Sequence, residues 1–221
     1  ELHHGTKTVD EIIQMLNERV DRSFEIDAIG RKYLKTTYVQ AMVKKLFEQK
    51  GDERAGYYRW SAIHYFLYEY NSSLKEEGYH GSEVTWDAFK QSESDKMSIE
   101  HIFPHKAEGY WADMFKDVPT NQWPVYQGSL GNLLLLSQKI NTQLQNDDFE
   151  TKKHGRQTED ATKARAGYEK GSYSEHAVSK ISDWTPEEIE SRGMKMLTFM
   201  EKHWNFKFES EEVKKQLLLP F

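Results

Sequence analysis

Apolar residues recur at three- and four-residue steps through Val9, Ile12, Ile13, Leu16 and Val20, which predicts a helix with one oily face and Thr8 as its N-cap. A second helix is expected from about Lys35 to Gln49, with Tyr38, Met42, Val43 and Leu46 on one side and Gly51-Asp52-Glu53 closing it. The broadest stripe, Trp60, Ile63, His64, Leu67, Tyr70 and Leu74, predicts a third helix, with Gly78 and Gly81 in the loop beyond. After the polar stretch Gln91–Lys96, Met97–Phe103 alternates like a strand and stops at Pro104. Residues 105–128 are too long for a hairpin turn, so they form either an excursion with a short helix or a functional loop. Leu130–Leu136 is a second short, strand-like apolar run, and Ser137 caps a helix through Lys139, Asn141 and Leu144. Thr185-Pro186-Glu187-Glu188 opens a last helix through Ile189, Arg192, Met196, Phe199 and Met200. Trp204–Phe208 reads as a terminal strand or an extended arm.

These elements predict an α+β chain that is mostly helical, with a strand–loop–strand–helix unit embedded between helical flanks. The expected division is a helical lobe over 1–95, a core over 96–155 and a C-terminal helical segment over 156–221 that packs on it. No apolar run is long enough for a membrane-spanning helix. Glu1–Gly5 lacks a charged-then-apolar leader, so a cytoplasmic setting is expected. Cysteine is absent, which excludes disulfides, thiolate nucleophiles and zinc-finger sites. A net charge of −6 argues against holding nucleic acid by overall charge, so phosphate contacts need a local basic patch.

The residues best suited to chemistry are Glu100 and His101 before Pro104, then Gly131-Asn132-Leu133, then Asn141. Phosphodiester hydrolysis needs an activated water and a means of neutralising the leaving oxygen. Histidine is the natural neutral base near pH 7. A hard divalent ion takes oxygen ligands, which a carboxylate and an amide carbonyl supply. The strand pair and the helix after it are expected to bring Glu100, His101, Asn132 and Asn141 together.

Glu-His-Ile-Phe-Pro at 100–104, Gly-Asn-Leu-Leu-Leu-Leu-Ser at 131–137 and Asn141 resemble the ββα-metal (His-Me finger, HNH) nuclease motif. More narrowly, they resemble the C-terminal nuclease domain of GmrSD-type and SspE-type modification-dependent restriction proteins. The Tyr-rich helix upstream, Asp148–Lys152, Asp183-Trp184-Thr185 and Arg192-Gly193 extend the likeness over about residues 35–208. The resemblance implies a ββα-metal core within 96–155 and a DNA endonuclease of a restriction or anti-phage system, and one metal with one base per site makes nicking the expected product. It also implies His101 as general base, Asn132 as the residue that orients it, and Glu100 and Asn141 as ligands of Mg²⁺ or Mn²⁺. An NTP-binding or modification-sensing N-terminal domain or subunit is the implied partner, since no GxxxxGK[ST] loop occurs here. The link between the two strands is longer than in the compact motif, and Asn141 stands where that motif has His, a replacement common in this branch.

Between 152 and 170, six cations face three carboxylates, so Lys152, Lys153, Arg156, Lys163 and Arg165 are the expected DNA-binding residues. Two competing readings come from other classes. Arg59 and His64 have the R-x4-H spacing of HEPN-type metal-independent ribonucleases, against which His64 reads as a packed core residue. The chain also reads as a non-catalytic helical interaction module. Trp111 and Trp123 are expected to clamp the long loop hydrophobically rather than touch substrate.

Overall fold

The computed structural model describes residues 8–48, 56–90, 97–156 and 165–221. In chain order the elements are α1 (Val9–Ser23), β1 (Phe24–Ile26), β2 (Lys32–Leu34), α2 (Thr36–Phe47), α3 (Ile63–Glu76), α4 (Trp86–Lys90), β3 (Met97–His101), α5 (Tyr110–Met114) and α6 (Trp123–Gly128). They continue with β4 (Leu133–Ser137), α7 (Gln138–Leu144), α8 (Phe149–His154), β5 (Gly155–Arg156), β6 (Arg165–Ala166), α9 (Tyr173–Ser179), α10 (Pro186–His203), β7 (Lys207–Phe208) and α11 (Glu211–Leu218). The chain is α+β and mostly helical, as its patterning predicts.

Helix α1 starts in a capping box: Thr8 Oγ1 accepts the Glu11 N–H at 3.2 Å, and the Glu11 carboxylate accepts the Thr8 N–H at 2.6 Å. Its oily face forms, but Val9, Ile13, Leu16 and Val20 stay exposed. Helix α3 begins three residues later than its stripe suggests, because Tyr57–Arg59 makes a 3₁₀ turn and Ser61-Ala62 a second turn. The buried stripe is therefore Ile63, Phe66, Leu67, Tyr70 and Leu74, and His64 lies outside it, exposed. The expectation of a packed His64 is thus corrected. Arg59 and His64 also sit on different elements, so the R-x4-H spacing is not carried on one helix. The C-terminal arm becomes β7, which joins β2 in parallel, while β1 and β2 pair antiparallel.

Strands β3 and β4 pair antiparallel with His101 opposite Leu133, Glu100 opposite Leu134 and Ile99 opposite Leu135. Side chains alternate across a strand. Ile99, Leu133 and Leu135 enter one apolar core with Phe66, Leu67, Met196 and Leu217. Leu134 and Leu136 enter a second with Phe103, Trp111, Phe115, Phe149 and Trp184. Both faces of β4 are covered, which is why Leu133–Leu136 reads as an unbroken apolar run rather than an alternating one.

The Gly-Asn break before that run has two separate causes. A Cβ on Gly131 would lie 1.9 Å from the Ile189 carbonyl oxygen, so the 3₁₀ turn Leu130–Asn132 packs backbone to backbone on α10. Arg192 locks the contact: buried, its Nη1 donates to the Gly131 oxygen at 2.7 Å and the Leu133 oxygen at 2.8 Å. Asn132 serves the adjoining loop.

Candidate active site

His101 ends β3, and the chain leaves the sheet through Ile102–His105. Every carbonyl along this exit accepts a side-chain donor. Lys152 Nζ donates to the oxygens of His101 at 3.1 Å and Ile102 at 3.0 Å. Asn132 Nδ2 donates to the Phe103 oxygen at 3.0 Å. Gln127 Nε2 donates to Pro104 at 2.8 Å and His105 at 3.4 Å. On the amide side, Asn132 Oδ1 accepts the Phe103 N–H at 2.8 Å, and the Asn132 carbonyl oxygen accepts the Ile102 N–H at 3.1 Å. The Asn132 amide is completed by Nδ2 donating to the Gln127 oxygen at 3.0 Å and by Trp184 Nε1 donating to Oδ1 at 3.1 Å. A backbone so completely bonded holds one conformation, and with it the direction of the His101 side chain.

The imidazole of His101 is half-buried and aromatic on both sides. The Tyr58 ring stacks on it at 5.2 Å, and the His105 ring meets it at 4.4 Å. Tyr58 comes from the 3₁₀ turn before α3, which therefore supplies one wall of the site.

Glu100 points to the opposite face of β3. Its side chain is buried, and Oε1 accepts from Lys152 Nζ at 2.6 Å and from the Tyr168 hydroxyl at 3.4 Å. Burial pushes its carboxyl up, and the Lys152 ammonium and the Tyr168 hydroxyl pull it partly back. Burial and Glu100 raise the Tyr168 hydroxyl well above the ordinary phenol range. Asn141 is half-buried and lies on β3, its Nδ2 donating to Ser98 Oγ at 2.9 Å and the Ile99 oxygen at 3.0 Å.

An ammonium already occupies the Glu100 oxygen, and it satisfies two strand carbonyls besides. The Asn141 amide braces the strand from the helix that follows it. Among the described residues no three His, Asp or Glu side chains gather as a metal site. In this arrangement Lys152 stands against Glu100 Oε1 as its counter-ion, and the Asn141 amide nitrogen is turned to β3.

The expected DNA-binding residues fall in different settings. The Lys152 side chain is wholly buried and lies 5.6 Å over the Trp111 ring. Lys153 is buried as well; its Nζ donates to the oxygens of Ile181 at 3.3 Å and Ser182 at 2.9 Å and pairs with Glu150. Each ammonium is held by carbonyls inside the fold. Arg156 and Arg165 are register partners across β5 and β6, and Lys163 lies outside the described residues. Trp111 and Trp123 brace the long loop as expected: Trp111 Nε1 donates to the Asp147 oxygen at 3.0 Å, Trp123 Nε1 to the Val118 oxygen at 3.1 Å, and both rings meet Phe103.

Sequence reasoning missed Tyr58, Gln127, Lys152 as a clamp, and Tyr168. The one available signal was the cluster of tyrosines and tryptophans upstream, and it gave no partner. Tyr168 and Lys152 find Glu100 only through tertiary folding.

The family described as GmrSD restriction endonucleases, C-terminal domain, matches residues 41–199. Neither a curated protein nor a solved structure matches the chain.

Proposed function

As the chain belongs to the family of GmrSD restriction endonuclease C-terminal domains, we propose that it nicks DNA with His101 as the general base. The single observation behind this is the fully bonded exit from β3, which fixes one half-buried imidazole next to Tyr58 and His105. A water molecule gives its proton to His101 as its oxygen bonds to phosphorus. The bond from phosphorus to the 3′-oxygen breaks, and solvent protonates that oxygen, leaving a 5′-phosphate and a 3′-hydroxyl. Asn132 acts through the Phe103 backbone rather than by touching the imidazole, so it is a positioning residue. One base per chain makes a single-strand nick the product of one site. The reading includes a modification-sensing or NTP-binding partner domain or subunit and a cytoplasmic setting. No helix among the described residues is long and apolar enough to cross a membrane.

The test is relaxation of supercoiled plasmid. His101→Ala should slow nicking by roughly 10²–10⁴-fold, the usual contribution of a positioned general base, with the thermal midpoint little changed. Wild-type rates in that variant would remove His101 from the reaction. Chelation by EDTA reads the divalent-ion requirement in the same assay. Arrest by EDTA and recovery in Mg²⁺ would show that a divalent ion takes part.

A further inference from the structure

A cleft of about 480 Å³ opens between α3, α9 and α10, away from the β3 exit. Its aromatic lining is Tyr70, Tyr79 and Phe199, and Lys180, Lys195 and Lys202 stand on it as exposed cations. None of these lysines forms an ion pair among the described residues, whereas Lys75, Lys214 and Lys215 nearby do. At the back, the Arg192 guanidinium sits 5.8 Å from the Tyr70 ring centroid. Glu77 and Glu211 also border the cleft, so four cations face two carboxylates on a chain whose net charge is −6.

Phosphate recognition needs cations with uncommitted charge, and a planar base gains from aromatic faces alongside. A volume of several hundred Å³ is the size class of small-ligand sites. We propose that this cleft binds a nucleotide unit, a phosphate with its planar base. Lys180, Lys195 and Lys202 hold the phosphate, and Tyr79 and Phe199 flank the base. The cleft also adjoins the nuclease strands: Arg192 Nη1 donates to the Leu133 oxygen, and Leu133 is the register partner of His101. The inference deepens the nuclease reading by placing a nucleotide grip behind the strand pair. Because binding is read without cleavage, failure of one leaves the other standing.

The whole chain is titrated with three probes: adenosine 5′-monophosphate, an eight-nucleotide single strand and inorganic phosphate. The Lys195→Glu/Lys202→Glu variant should bind nucleotide or strand at least ten-fold more weakly at unchanged thermal midpoint. Tyr79→Ala should weaken nucleotide binding while leaving any phosphate binding alone, and His101→Ala should bind like wild type. Monophosphate binding equal to that of the strand assigns the site to a free nucleotide. Much tighter strand binding assigns it to DNA. Affinities within two-fold after charge reversal, inorganic phosphate binding as tightly as the monophosphate, or no binding of either nucleotide probe overturns the proposal.

Discussion

Glu100 and Lys152 form a buried pair at the end of β3. A metal ligand keeps an oxygen open to the ion, whereas here the nearest cation is an ammonium at 2.6 Å. Removing one partner of a buried pair leaves the other charge uncompensated, at a cost on the order of 3–5 kcal/mol. Lys152→Met should therefore lower the thermal midpoint by many degrees. Glu100→Gln should lower it less, since the amide oxygen still accepts from Lys152. The midpoint of any Mg²⁺ activation curve should stay within two-fold in Glu100→Gln if Lys152 is its partner throughout; a ten-fold shift would assign Glu100 to the ion. Glu175 gives a pH dependence. It is buried at the start of α9, where it accepts the Ser172 N–H at 2.8 Å, and burial raises its pKa to about 7. The folded chain thus keeps this proton over a range where the unfolded chain, titrating near 4.5, has lost it. The folded state binds more protons, so stability falls as pH rises from about 4.5 through 7, by roughly 3 kcal/mol in total. Glu175→Gln should flatten that slope and raise the midpoint at pH 8, as read by thermal melts at pH 5.5 and 8.

At the scale of elements, the patterning located α1, α2, α10 and both strands of the β3–β4 hairpin, because each buries or presents a simple periodic face. Thr8 and Thr185 were readable as caps from their own neighbours, and both accept the N–H three residues on. The short pieces α8, β5, β6 and α9 were not readable. They are too short for a periodic signal, and partners far along the chain fix them, as when Lys153 reaches Ile181 and Ser182. His64 misled for a related reason: a stripe shows which residues share a face but not where the helix begins. The turn at Gly131 carries the sharpest element-scale expectation. Gly131→Ala places a methyl 1.9 Å from the Ile189 oxygen, backbone against backbone, so α10 must move off the strand pair. A loss of at least about 2 kcal/mol in denaturant unfolding is expected, and nicking should fall with it. An unchanged denaturation midpoint would mean the turn and α10 are not in contact.

For the molecule as a whole, the order of the motif residues along the chain was legible, and their convergence was not. His101, Asn132 and Asn141 all lie at the β3 exit or against its strand. Glu100 does not join His101, since neighbours on a strand face opposite ways and the face of Glu100 belongs to the second core. The basic run from Lys152 onward read as a DNA-binding patch from charge counts, which ignore depth, and its first two lysines are buried. The Asn132→Ala variant tests how far the site depends on the surrounding fold. Its amide serves Phe103, Gln127 and Trp184 at once, so its loss should cost about 3 kcal/mol or more. Nicking by the folded fraction should drop chiefly in kcat.

The β3–β4 hairpin stands between the two apolar cores and contributes leucines to each. A partition shared in this way ties the melting of one half to that of the other. Loss of either core strips one side of the strands, and the remaining side cannot stand alone. The amide hydrogens of Leu133–Leu136 should accordingly be among the slowest in the chain to exchange with heavy water, and heating should produce one transition for both halves.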